Sequence, residues 1–143
     1  MFAHPSASQA DLFGQPLLPG LRQEHEFITA EEERALIALI DGSDLTPFRF
    51  QQWTGKRLTR SYGWSYDFQT GAFTPTEPMP DWLLPLKAMT ASFAGLRAEA
   101  LVQALLIRYD PGAGIGWHRD VLFSNISLGY RWANLPRCGF GRR

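Results

Sequence analysis

The chain has 143 residues, 45% of them apolar and 20% charged, which is the composition of one globular domain and excludes a disordered or fibrous chain. Its 14 basic residues balance 14 acidic ones, so the overall field does not attract phosphate, and any contact with nucleic acid must come from a local patch. The lone Cys138 closes no internal disulfide, the first residues lack a charged-then-apolar leader, and no apolar run is long enough to span a bilayer, so a soluble protein of a reducing, cytoplasmic compartment is expected.

Residues 1–20 mix Ser, Gln, Ala and Pro around Leu12-Phe13 and Leu17-Leu18, the pattern of an N-terminal arm whose few apolar groups dock on a domain. His4 and His25 fall outside any ligand spacing and read as ordinary surface histidines. Thr29 stands three residues before Glu32, a capping box, and Ala35, Leu36, Leu39 and Ile40 form an apolar stripe that stops at Asp41-Gly42. A helix used for packing is the expectation.

From Phe48 to Phe68 the composition turns aromatic and basic: Phe50, Trp53, Lys56, Arg57, Arg60, Tyr62, Trp64, Tyr66 and Phe68. On one continuous strand Tyr62, Trp64, Tyr66 and Phe68 would share a face, and that face either packs on the core or meets a ligand. In the second case aromatic faces stack on an exposed base and arginine or lysine holds phosphate. Thr70 to Pro80 reads as a Gly- and Pro-rich loop. Asp81 then stands where a cap would, ahead of a helix carrying Trp82, Leu83, Leu86, Met89 and Phe93 as far as Gly95, with Pro85 tolerated near its start.

Leu101 to Tyr109 is a near-continuous apolar run, expected as a buried strand, and Asp110-Pro111-Gly112 supplies a fixed φ followed by a residue free to take positive φ. If the chain re-enters a strand at Gly114, then Gly114, Gly116, His118 and Asp120 share one side. Imidazole nitrogen and carboxylate oxygen at that spacing suit one divalent ion, and the glycines leave room beside it for an organic ligand, which makes two-thirds of a facial triad. Beyond Gly129 alternation and helical stripe both stop, and residues 130–143, with four arginines, are expected to be an irregular tail.

Tyr-x-Pro-Gly-x-x-Ile-x-x-His-x-Asp over Tyr109 to Asp120, followed by Ile126-Ser127-Leu128-Gly129, resembles the AlkB-like family of iron(II) and 2-oxoglutarate-dependent dioxygenases. Pro19-Gly20-Leu21, the start of the first helix and Arg60-Ser61-Tyr62-Gly63 resemble the same family's domain opening and substrate lid. The resemblance implies an α+β fold, a double-stranded β-helix or jelly-roll with N-terminal helices, here incomplete and spanning 21–129. It implies iron ligation by His118 and Asp120, contact of Tyr109 with 2-oxoglutarate, and substrate binding by Arg60, Tyr62, Trp64 and Tyr66. The activity it implies is oxidative dealkylation of nucleic-acid bases, DNA or RNA repair chemistry, by a monomer, with protein as the substrate in some members. Where the family often has asparagine two positions before its tyrosine, this chain has Ile107. The family takes a second histidine and a 2-oxoglutarate-binding arginine from later strands; no histidine follows His118, so a truncated or frameshifted, inactive form is expected. Two other classes compete: a non-catalytic nucleic-acid-binding module that keeps the aromatic lid, and a hydrolase in which His118 and Asp120 hold another divalent metal.

Overall fold

The computed structural model describes Arg22, Glu24, residues 26–50 and residues 53–114. The expected arm at 1–20, the tail at 130–143, and His4, His25, His118 and Asp120 lie outside the described residues. The chain divides between Ala38 and Leu39 into two compact units. In the described part, helices combine with antiparallel sheets, an α+β arrangement.

Helix α1 runs from Ala30 to Asp41. Its capping box forms in both directions: the Glu32 amide donates to Thr29 Oγ1 at 3.2 Å and the Thr29 amide donates to Glu32 Oε2 at 2.7 Å. Donation from the Thr29 backbone amide, and then from the Thr29 side chain, holds the Glu32 carboxyl below its usual range. Glu31, Glu32 and Glu33 also place negative charge at the positive end of the helix dipole.

A three-stranded antiparallel sheet follows, with order β1-β2-β5, where β1 is Thr46–Phe50, β2 is Trp53–Tyr62 and β5 is Ala104–Arg108. A second sheet pairs β3, Trp64–Tyr66, with β4, Phe73–Pro75. The register sets Thr46 opposite Thr59, Thr59 opposite Ile107 and Ser61 opposite Leu105, so these five residues share one face of the larger sheet. The other face carries Tyr62 and Leu106, each 7% exposed, which join Ile40, Leu83, Leu86 and Ala91 as the most buried apolar residues.

Three sequence expectations are corrected. The aromatic stretch is not one strand: β2 ends at Tyr62 and β3 begins at Trp64, because Gly63 turns the chain with φ +79°. A Cβ at Gly63 would stand 2.1 Å from the Val102 carbonyl oxygen, so backbone fills the space a side chain would need. The alternation of Tyr62 with Trp64 is therefore broken. The supposed loop from Thr70 to Pro80 contains β4, recruited by pairing with β3. And Leu101 to Tyr109 is buried on one face only, since Leu105 is 53% and Ile107 38% exposed beside a buried Leu106. A strand of an antiparallel sheet needs only one covered face.

Asp81 opens a single 3-10 turn, Asp81–Leu83, and makes no capping bond; helix α2, Leu84–Ala94, begins after it with a proline in its first turn. Met89, expected on the apolar stripe, is exposed, while Thr90 is buried and returns its hydroxyl to the Leu86 carbonyl at 2.6 Å. The helix closes where expected, the Leu96 amide reaching the Ala91 carbonyl at 2.8 Å. Among the described residues no helix is long and apolar enough to cross a membrane.

Candidate functional site

The Asp110-Pro111-Gly112 turn forms as the sequence requires. Gly112 has φ +81° and the Ala113 amide donates to the Asp110 carbonyl at 2.8 Å, reversing the chain just past β5. Arg108 anchors it. Its Nε donates to Asp110 Oδ1 at 3.0 Å, a second nitrogen donates to Asp110 Oδ2 at 3.4 Å, and the third reaches Asp41 Oδ1 at 3.3 Å. The Asp110 carboxylate, then Asp41, push the Arg108 guanidinium above its ordinary value, so it is charged at every accessible pH. Tyr109, the expected 2-oxoglutarate contact, is half-buried between strand and turn.

Of the expected substrate residues, Tyr62 is buried at the end of β2 with the Arg60 guanidinium 5.4 Å from its ring centroid. Arg60 donates to Glu77 Oε2 at 2.5 Å and to the Asp44 carbonyl at 3.1 Å. Its charge is thus matched by Glu77, which also pushes its pKa up from the usual value. Trp64 stacks on Phe73 across the small sheet. Tyr66 meets Phe68 edge to face at 4.8 Å, and Phe68 meets Phe48 in the same way at 5.3 Å. The structure therefore brings Arg60 to Tyr62 and Tyr66 to Phe68, and it sets Trp64 in a separate stack.

Where the small sheet meets β1 and β2 there is an open polar pocket of about 330 Å³, lined by Asp44, Thr46, Thr59, Arg60, Ser61, Ser65, Thr76 and Glu77. The Gly63 turn builds this junction: its amide donates to the Glu77 carbonyl at 2.6 Å and its carbonyl accepts from the Thr76 amide at 3.0 Å. No family model, curated protein or solved structure matches the chain. Chemistry must accordingly be read from the residues themselves. Among the described residues no group of three or more His, Cys, Asp or Glu side chains is placed to hold a metal, and both expected iron ligands lie beyond Gly114.

Sequence reasoning missed Glu77 as the partner of Arg60, because Glu77 sits in what read as a loop. It also missed Arg57. That guanidinium lies 3.7 Å from the Phe48 ring centroid, with Nε buried and without a hydrogen-bond acceptor among the described residues. The signal was present in the alternation of Arg57, Thr59 and Ser61 along β2, which the aromatic residues overshadowed.

Proposed function

We propose that the chain is part of an AlkB-like iron(II)/2-oxoglutarate-dependent dioxygenase that acts on alkylated nucleic-acid bases. The observation that carries this reading is the Asp110-Pro111-Gly112 turn at the end of β5, formed inside the Tyr109 to Asp120 motif and immediately ahead of its His-x-Asp pair. The three-stranded antiparallel sheet, with Leu105 and Ile107 exposed on one face, supports reading it as one wall of an incomplete jelly-roll.

An imidazole and a carboxylate are the donor set that suits iron(II), so His118 and Asp120 would hold the ion and Tyr109 would contact 2-oxoglutarate. When bound, iron and the 2-oxoacid would let dioxygen act as the oxidant, one oxygen atom going to the 2-oxoacid as it loses carbon dioxide to give succinate and the other hydroxylating an alkyl carbon that then leaves as aldehyde. The chain's own residues fix geometry: Arg108 holds the turn against Asp41, and Arg60, Tyr62, Trp64 and Tyr66 are proposed to receive the substrate. His118 and Asp120 are proposed to bring iron two protein ligands.

The test is an anaerobic iron(II) titration of the chain and of His118→Ala and Asp120→Ala. Each substitution is expected to abolish iron affinity. Iron binding unchanged in both variants sinks the metal assignment.

A further inference from the structure

We propose that Arg57, stacked on Phe48, is an anion-binding position that holds one phosphate of a single-stranded nucleic acid; this rests on the nucleic-acid reading above and names a residue outside the set assigned there. The guanidinium is already immobilised. Phe48 lies under it at 3.7 Å, Phe68 packs edge-on against Phe48 with an interplanar angle of 77°, and Tyr66 packs edge-on against Phe68 at 89°. Little rotamer freedom remains to be lost when a ligand arrives.

The cation also lacks a counter-charge. Arg60 is matched by Glu77 and Arg108 by Asp41 and Asp110, whereas Arg57 has no ion pair among the described residues. The terminal nitrogens of a planar guanidinium match an oxyanion in bidentate fashion.

Position selects the anion. Arg57 lies two residues before Thr59 on β2, and Thr59 lines the polar pocket together with Thr46 and Ser61. Asp44 and Glu77 also line the pocket, and their charge disfavours a compact dianion while tolerating a phosphodiester, which carries a single charge per phosphate. Trp53, four residues before Arg57 on the same strand, is 77% exposed and offers an indole for a base to stack on.

The experiment is fluorescence anisotropy of a labelled oligothymidylate with the whole chain across a potassium chloride series, without iron or 2-oxoglutarate. Arg57→Gln is expected to weaken binding about tenfold at low salt and to lower the slope of log K against log salt by about 0.7, the share of one single-strand phosphate. Arg57→Lys keeps the charge and is expected to restore the slope but only part of the affinity. Phe48→Leu keeps the charge and loosens its seat, and is expected to weaken binding with the slope unchanged; it serves also if Arg57→Gln folds poorly. Wild-type binding with Arg57→Gln unchanged overturns the inference and leaves the nucleic-acid reading standing. No oligothymidylate binding by the wild type overturns both, and competition by equimolar inorganic phosphate overturns the choice of a phosphodiester.

Discussion

Trp64 and Phe73 stack face to face across the β3–β4 pair, ring centroids 5.3 Å apart and planes within 2°. An indole used in this way helps to hold a two-stranded sheet together, besides any face it offers to a substrate. Trp64→Ala is therefore expected to cost about 2 kcal/mol in urea unfolding, above the about 0.5–1.5 kcal/mol of a ring pair and below the about 3–5 kcal/mol of a fully buried tryptophan. If the unfolding midpoint holds and single-strand affinity falls instead, the indole's role is in ligand stacking.

Gly63 sits where β2 gives way to β3, and two constraints meet there: φ of +79° and the Val102 carbonyl oxygen 2.1 Å from any added Cβ. Neither can relax cheaply, because the obstacle is backbone and Gly63 is bonded on both sides to Thr76 and Glu77. Gly63→Ala is expected to destabilise by about 2 kcal/mol or more, read by thermal unfolding. A loss of a few tenths would mean that the polar pocket's junction is looser than its hydrogen bonds suggest.

The capping box gives a pH signature. Because the folded Glu32 pKa is depressed by the Thr29 donors, its contribution is fully present above the ordinary glutamate value of about 4.3 and is lost as pH falls through the lower folded value. Wild type and Glu32→Ala should accordingly differ in helix content by circular dichroism at neutral pH and converge in acid. Thr29→Ala is expected to cost roughly 1 kcal/mol of helix stability at neutral pH. A difference that persists undiminished below the folded pKa would remove the carboxylate from the explanation.

What the sequence made legible was local chemistry. Thr29 and Glu32 bond within four residues, and Asp110 to Ala113 turn on the fixed φ of Pro111 and the free φ of Gly112, so both could be read from neighbours. What failed depended on distant partners. Val102 forces a glycine at Gly63, β3 turns a Pro-rich loop into β4, and β5 is buried on one side because it joins an antiparallel sheet with one covered face. Arg57 was hidden for the same reason: its significance lies in Phe48, which reaches it only once β1 pairs with β2. The candidate iron pair stayed legible as spacing alone, since His118 and Asp120 lie outside the described residues.

Gly112 offers a way to probe the turn without disturbing the sheets. An added Cβ there meets nothing within 4 Å, so Gly112→Ala carries only the strain of φ +81°, about 1 kcal/mol, with no packing penalty. If the turn's geometry aims the His-x-Asp pair, that strain is expressed as a redirected or loosened turn, and iron(II) affinity is expected to fall about fivefold while the urea midpoint moves little. Arg108→Ala provides the second arm. Its carboxylate partners Asp41 and Asp110 are about half exposed, so losing them should cost under about 1 kcal/mol of stability and less in high salt, yet it frees the same turn. Both variants are expected to weaken iron binding through one cause, and the double variant should then fall short of the sum of the two. Full additivity, or iron affinity untouched in either, would separate the turn from the metal and leave Asp110 to Ala113 as a turn that closes β5 and nothing more.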